Sequence, residues 1–303
     1  MSVIWEDEVA DYLNQRRARG YTLRDASIVL ERFAAALGEA GAERITVPAV
    51  TSFACQDIAL GRASQARRFG IVRAFAGWMR ATDPATADPI PPGLVRGAYQ
   101  RVTPHLYPPD QVLALMAATD DLGPRWLAEA MSVLIGLLSV TGLRSGEAIG
   151  LDVGDLDASG LVLTVHGKLD RSRLVPLHPT SADKISAYCG DRTSGPLFIG
   201  RTGSRICRPT VHGAFRRLTA TCRIPTQTGG RPPRLHDFRH TLAVDSLVAA
   251  HRQGLDVDAR IAVLSTFLGH REPASTYWYL TASPELMAAV SDRMAHALKR
   301  QPR

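Results

Sequence analysis

The sequence predicts a mainly α-helical protein that contains one small antiparallel β-sheet and is divided into two domains. Three observations support this fold class. Apolar residues recur at helical spacing along most of the 303-residue chain. A proline-rich stretch interrupts that pattern near residue 90. Beyond it, two short β-rich segments are separated by a turn. A chain of this length can form two domains with separate cores.

The first domain is predicted to span residues 1–85 as a four-helix module. Apolar side chains keep helical spacing through residue 37, with a break at Gly20. A third helix is expected from Val47 to Gly61, with Ile58 on its inner face. A fourth helix follows, and we expect its arginines to face outward and to form a basic surface. These arginines are Arg62, Arg67, Arg68, Arg73 and Arg80.

Residues 86–105 are predicted to form a linker, because prolines exclude a continuous helix there. The second domain is expected over residues 106–303. Pro109 begins a helix, and an apolar segment at 126–140 predicts a buried one. A β-hairpin is predicted from strands at 161–165 and 173–177. Further helices are expected at 181–189, 209–222, 235–251, 258–268, 275–280 and 284–298.

The charge distribution favours a nucleic acid as partner. The net charge is +7 and the isoelectric point about 9.6. Five arginines and no acid occur between residues 62 and 80, and nine arginines with one acid between 201 and 239. Such blocks suit a phosphate backbone. A solvated basic face is the alternative that charge alone leaves open.

Several classes of protein are disfavoured by the sequence. No apolar run approaches the roughly 20 residues of a membrane helix, and the acidic N-terminus does not look like a signal peptide. We therefore expect a cytoplasmic protein without membrane association. The four cysteines are scattered and form no C-x-x-C pair, so neither a metal site nor a disulfide framework is expected. Phosphate-binding loops and the common hydrolase motifs are absent, and no cofactor is predicted.

Five motifs carry the residues of chemical interest. Arg144 follows the apolar helix in Thr-Gly-Leu-Arg-Ser-Gly-Glu, and Lys168 occupies the predicted hairpin turn. His-Asp-Phe-Arg-His at 236–240 precedes Leu-Gly-His at 268–270, and Tyr279 comes nine residues later. In order and spacing, these motifs resemble the tyrosine recombinase (phage integrase) family over about residues 106–285. The resemblance implies that the first domain is a DNA core-binding domain and the second an integrase-type catalytic domain.

Physical chemistry supports a phosphodiester as the substrate of such a set. Two guanidiniums, Arg144 and Arg239, can neutralise the charge that builds on the nonbridging oxygens. His236 precedes Arg239 by three residues, so both should project from one helical face, whereas His240 should point elsewhere. Lys168 can protonate the leaving 5′ oxygen; its alternative role is a plain phosphate contact. Structural ion pairing is the alternative for either arginine alone.

The resemblance assigns further roles. Its spacing selects Tyr279 rather than Tyr277 as the nucleophile that forms a 3′-phosphotyrosyl intermediate. His270 is expected to donate to the scissile phosphate, and Glu147 to support Arg144. Asp237 is expected to cap or orient its helix. The catalytic set predicted in this way is Arg144, Lys168, His236, Arg239, His270 and Tyr279.

The predicted function is site-specific recombination of double-stranded DNA by strand cleavage and rejoining, without a metal. The resemblance implies a homo-tetramer on paired sites, with the apolar stripe at 284–298 docked on a neighbouring subunit or on its own domain. Two alternatives remain open. The catalytic set is shared with type IB topoisomerase-like DNA relaxases, and a catalytically silent DNA-binding accessory protein would need only the basic surfaces. The target site and the biological role are not specified by the sequence.

Overall fold

The protein is mainly α-helical with one two-stranded antiparallel sheet in the part of the chain that the structure describes, which confirms the predicted fold class. No helix among those residues is long and apolar enough to cross a membrane. The structure is a computed structural model. It describes residues 5–97, 103–167, 172–226 and 231–269.

The chain divides into two compact units, Met1–Arg101 and Val102–Arg303. The first contains the four predicted helices around an apolar core. Aromatic side chains fill that core, and Trp5 and Phe75 are almost fully enclosed. Burial of such large rings contributes much of the stability of a small helical unit. The helices are α1 (Trp5–Ala18), α2 (Arg24–Glu39), α3 (Val47–Cys55) and α4 (Arg62–Thr82).

Helix α3 ends earlier than the sequence predicts. It stops at Cys55 rather than near Gly61, and Ile58, which was expected inside, is 92% exposed. The reason is a turn after the helix. The Asp57 carboxylate accepts a hydrogen bond from the backbone N–H of Ala59 at 3.2 Å. Local side-chain bonding of this kind competes with helix continuation.

One arginine of α4 was predicted to face solvent but is buried. Arg68 is buried, and its guanidinium lies over the ring of Phe53 at 4.9 Å. It also donates a hydrogen bond to the carbonyl oxygen of Phe53 at 3.4 Å. The aromatic face and the carbonyl together compensate the burial of this charge.

The first half of the predicted linker packs onto the first unit. Ala87 is fully buried and forms a parallel bridge with Ile45. The Asp88 carboxylate pairs with Arg44 and accepts a weak bond from the N–H of Val47. Proline thus excludes helix here without excluding packing. The limits of domain and linker at 1–85, 86–105 and 106–303 stay a prediction.

The second unit is built around a buried helix, as the apolar run predicts. This helix, α6 (Arg125–Thr141), packs against α5 (Pro109–Ala117) and against four later helices. Most of its apolar side chains belong to the main core of the unit. A short helix, α7 (Ser145–Gly150), follows after three residues. Arg144 therefore lies directly beside the end of the best-buried helix.

The predicted hairpin forms next. Strand β1 (Val162–His166) pairs antiparallel with β2 (Ser172–Pro176), and Val165 faces Arg173 in the register. Leu163, Val165 and Val175 join the main core. Lys168 belongs to the connection between the strands and lies outside the described residues.

Four more helices complete the described part. The last two, at 237–252 and 257–268, pack on each other through a smaller apolar cluster of their own. The helices predicted at 275–280 and 284–298 lie outside the described residues. The four are α8 (Pro179–Cys189), α9 (Arg208–Thr221), α10 (Asp237–Arg252) and α11 (Val257–Leu268).

Candidate active site

Arg239 is the most deeply buried of the predicted catalytic residues that the structure describes. It lies on the first turn of α10 and is 1% exposed. Its Nη1 donates to the carbonyl oxygen of Gly142 at 3.0 Å and its Nη2 to that of Leu268 at 2.6 Å. These bonds join the ends of α6 and α11 to the start of α10. A buried charge requires such hydrogen bonds to be tolerated.

Gly142 explains the glycine of the Thr-Gly-Leu-Arg motif. It ends α6 with a φ of 59°, in the left-handed region that favours glycine. A Cβ at this position would lie 2.9 Å from side-chain atoms of both Leu242 and Leu268. Glycine thus lets α10 and α11 approach closely and presents its carbonyl to Arg239.

Arg144 is held from two sides. Its Nη1 donates to Oε1 of Glu147 at 2.7 Å, and its Nη2 donates to the carbonyl oxygen of Gly269 at 3.3 Å. The backbone N–H of Arg144 also donates to Oε2 of Glu147 at 3.1 Å. The predicted supporting role of Glu147 is therefore confirmed. The Arg144 side chain keeps 43% of its surface exposed, so it can reach a ligand in solvent.

Arg173 is a site residue that the motifs did not mark. Its Nη2 donates to Oε2 of Glu147 at 2.8 Å, and its Nε donates to the carbonyl oxygen of Phe267 at 3.0 Å. Burial raises the pKa of Glu147, but hydrogen bonds from Arg173 and Arg144 outweigh it, so the pKa lies below its ordinary value. Glu147 is thus ionised between two arginines. The sequence does contain one signal for Arg173, because it lies two residues before the buried Val175 and therefore on the same face of a short strand.

Three arginines thereby engage three consecutive carbonyl groups at the end of α11. Arg173 binds that of Phe267, Arg239 that of Leu268 and Arg144 that of Gly269. The last carbonyls of a helix lack partners within the helix and carry the negative end of its dipole. Cations are favoured there, so the end of α11 gathers guanidiniums that would otherwise repel one another.

His236 lies immediately before α10 and beside this group. Burial lowers its pKa to about 4, and the positive charges of Arg239 and Arg234 act in the same direction. The ring is therefore neutral near pH 7 and can accept a proton. The prediction that His240 points elsewhere is wrong. Its ring meets that of His236 edge to face at 4.9 Å, because four residues are about one helical turn.

The start of α10 is fixed by a second acid. Asp237 is 2% exposed and accepts hydrogen bonds from the backbone N–H of Arg234 at 2.8 Å and from its Nη2 at 2.7 Å. The hydroxyl of Tyr107 donates to the carbonyl oxygen of Arg234 at 3.1 Å, and its ring stacks on Phe238 at 4.2 Å. Asp237 orients its helix, as predicted, and thereby places His236 and Arg239.

The structure thus brings together three of the six predicted catalytic residues, namely Arg144, His236 and Arg239. Lys168, His270 and Tyr279 lie outside the described residues, and their roles stay predictions. Gly269, the last described residue before His270, is in contact with the arginine group. Among the described residues, no group of His, Cys, Asp or Glu is placed to hold a metal ion.

Fold and site together define an integrase-type catalytic unit, in which a helical core and one hairpin surround paired arginines. Comparison with known proteins agrees. A sequence model of the Phage integrase family matches residues 106–285. A candidate integrase/recombinase of Sinorhizobium fredii, y4rB, is 34% identical over 94% of this chain and 95% of its own length. The tyrosine recombinase XerC of Mycobacterium tuberculosis is 27% identical over 95% of this chain and 97% of its own.

Solved structures show the same fold. The lambda integrase tetramer bound to a Holliday junction superposes with a TM-score of 0.63 at 19% identity, over 90% of this chain and 79% of that one. The chain belongs to the phage integrase family. It is a tyrosine recombinase, an enzyme that cleaves and rejoins DNA in site-specific recombination.

Proposed function

We propose that recombination proceeds through a covalent bond between Tyr279 and the 3′ phosphate of one DNA strand. The observation that carries this proposal is the placement of Arg144 and Arg239 on adjacent carbonyls, Gly269 and Leu268, with a neutral His236 beside them. Two guanidiniums so close can stabilise the charge on one phosphate during the reaction.

Cleavage exchanges one phosphate ester bond for another. The phenol oxygen of Tyr279 forms a bond to phosphorus and gives its proton to His236. The bond from phosphorus to the 5′ oxygen breaks, and that oxygen takes a proton from Lys168. Arg144, Arg239 and His270 donate hydrogen bonds to the nonbridging oxygens. In the reverse step a 5′ hydroxyl attacks the phosphotyrosine, so that rejoining needs no external energy source.

The proposed substrate is duplex DNA, held partly by the basic surface of α4. Arg62, Arg73 and Arg80 of this helix are exposed, and no acidic residue occurs among them. Contacts of this type go to the phosphate backbone and carry no sequence information themselves. They therefore support affinity, while the target sequence depends on other contacts.

We also propose that the chain acts as a homo-tetramer on two paired sites. The second unit has an apolar groove of about 600 Å³ between α5, α6, α8 and α10. Leu113 and Val140 line it and are 66% and 47% exposed. We assign this groove to the apolar stripe at 284–298 of a neighbouring subunit. Removal of residues 284–303 should leave single-site binding intact and abolish the tetramer in mass photometry on DNA. A tetramer that persists would contradict the assignment.

The experiment for the covalent step uses DNA recovered from cells by immunoprecipitation of the denatured protein and sequenced to find the site. A synthetic copy with a nick near the cut loses its short fragment on cleavage and traps the adduct. Wild type and Tyr277→Phe should form it, and Tyr279→Phe should not. An adduct with Tyr279→Phe would show that the nucleophile is wrong, and its absence with wild type on recovered sites would reject the covalent mechanism.

The topoisomerase-like alternative is tested with the same site. Strand exchange between two duplexes that carry it, measured as a recombinant fragment on a gel, is expected. Relaxation of a single supercoiled plasmid without any such fragment would favour the relaxase instead.

A further inference from the structure

We propose that Arg173 is a positioning residue of the active site, which aligns Arg144 on the scissile phosphate. This inference rests on the function proposed above. Arg173 does not reach the reacting atoms in the proposed step. It acts on both groups that hold the guanidinium of Arg144, namely Glu147 and Gly269.

The first route passes through Glu147. Its Oε1 binds Nη1 of Arg144, and its Oε2 binds Nη2 of Arg173 at 2.8 Å and the backbone N–H of Arg144 at 3.1 Å. The carboxylate is therefore fixed at both oxygens. Without Arg173, Oε2 keeps only the longer bond from the Arg144 backbone N–H at 3.1 Å, so the carboxylate and the Arg144 guanidinium bound to it are held less firmly.

The second route passes through the end of α11. The side chain of Arg173 lies against Gly269, where an added Cβ would come within 2.9 Å of its Nη1 and 3.2 Å of its Cδ. Gly269 has a φ of 68° and passes its carbonyl oxygen to Arg144. The Nε of Arg173 also holds the carbonyl of Phe267, two residues earlier. The backbone that binds Arg144 is thus supported by the same guanidinium.

Arginine is the residue type that this geometry requires. The fork of a guanidinium serves the Phe267 carbonyl with Nε and Glu147 with Nη2 at once, from a side chain that is only 15% exposed. A lysine donates from a single nitrogen, so it does not reproduce the separated donors that Nε and Nη2 provide. We therefore expect Arg173→Lys to keep part of the function and Arg173→Gln to keep less.

A purely structural role must be separated from positioning. If Arg173 only anchors the hairpin, its loss lowers stability and leaves the rate of the folded enzyme unchanged. If it positions Arg144, its loss slows cleavage by about 10- to 100-fold in folded, DNA-bound enzyme. The slowing should also depend on the charge of the phosphate, since Arg144 serves to neutralise that charge.

The experiment measures single-turnover formation of the covalent adduct with the full chain at saturating enzyme. The nicked substrate carries either a normal phosphodiester or a neutral methylphosphonate at the cut. Arg192→Gln is the control, because Arg192 is also half-buried and donates to backbone carbonyls, among them that of Pro196 at 2.7 Å. DNA affinity and thermal unfolding are measured for every variant.

We expect both Arg173 variants to be slow on the phosphodiester, and their deficit relative to wild type to shrink on the methylphosphonate. DNA affinity should change less than about 3-fold, and Arg192→Gln should cleave like wild type. Equal deficits on both substrates, or an equally slow Arg192→Gln, would overturn the inference. If Arg173→Gln does not fold, Arg173→Lys gives the same comparison. Failure of wild type to form any adduct would count against the proposed function and not against Arg173.

Discussion

The two units of this protein use arginine in opposite ways. In the first unit, Arg62, Arg73 and Arg80 face solvent, and the fold depends on an apolar core rich in aromatic rings. In the second, Arg173 and Arg239 turn inward onto backbone carbonyls. Apart from the buried Arg68, charge on α4 is thus a surface property, whereas in the active site it is part of the fold. Substitutions should therefore change DNA affinity in the first unit, and rate together with stability in the second.

Arg239→Lys should have the largest effect. The carbonyls of Gly142 and Leu268 are bound by separate Nη atoms, and the single nitrogen of a lysine does not reproduce that fork, so these buried acceptors are less well satisfied. We expect adduct formation to fall by about 10³-fold and unfolding free energy to fall by about 2 kcal/mol. Nicked-substrate assays and urea titration measure the two quantities. If this variant is as stable as wild type, the contacts of Arg239 with the carbonyls do not contribute to stability as proposed.

Gly142→Ala should have the next largest effect, and it should act by lowering the unfolding free energy. The positive φ and the close approach of Leu242 and Leu268 leave no room for a methyl group. We expect a loss of about 1–3 kcal/mol in unfolding free energy. Gly41→Ala is a useful control, since Gly41 also follows a helix with a φ of 58° but no atom lies within 4 Å of the added Cβ. Equal losses at both positions would attribute the effect to backbone strain alone.

His236 should give a smaller, pH-dependent effect. Its pKa is lowered to about 4 in the folded protein, first by burial and then by Arg239 and Arg234. On acidification the unfolded chain takes up this proton first, near the ordinary histidine pKa of about 6.5. The contribution of His236 to the unfolding free energy is therefore complete above pH 6.5 and declines as the pH falls toward 4.

His236→Gln should flatten this decline in urea titrations across that range. Glu147 has a lowered pKa as well, but a carboxylate loses its contribution only at more acidic pH, below its ordinary value. The two groups therefore act in separate windows. If the unfolding free energy changes with pH equally in wild type and variant between pH 6.5 and 5, a buried, neutral His236 is contradicted.

Arg73→Ala should have the smallest effect on the fold. The side chain is exposed on α4, so the unfolding free energy should change by less than about 0.5 kcal/mol. If it contacts DNA phosphate, the slope of log affinity against log salt should decrease by about 1. A stability loss like that of Arg239→Lys would remove the contrast between the units.

The sequence predicts the helices of this fold well, because long apolar periodicity and the residues that end helices are local signals. It fails where tertiary contacts decide. Arg68 has the spacing of an outward residue, and only the ring of Phe53 explains its burial. Ile58 is a failure of another kind, because the local turn at Asp57 ends the helix before this apolar residue.

The active site shows the same limit. Motifs identified Arg144 and Arg239 through their neighbours in sequence. They did not identify Arg173, whose partners are a carbonyl 94 residues away and a carboxylate 26 residues away. Backbone carbonyls carry no sequence signature, because every residue has one. Only the folded chain shows which of them become ligands for arginine.

The arginine-bound end of α11 also limits how far Tyr279, the proposed nucleophile, can lie from the arginine group. Tyr279 comes ten residues after Gly269. Fully extended, such a segment spans at most about 35 Å, and as a helix about 15 Å. The carbonyls bound by the arginines therefore fix one end of the segment that leads to Tyr279. If Tyr279 is the nucleophile, as proposed, the phosphate that it attacks must lie within that distance of Gly269 plus the length of the tyrosine side chain. A deletion or insertion between these residues would then change the reach of the tyrosine without altering its chemistry.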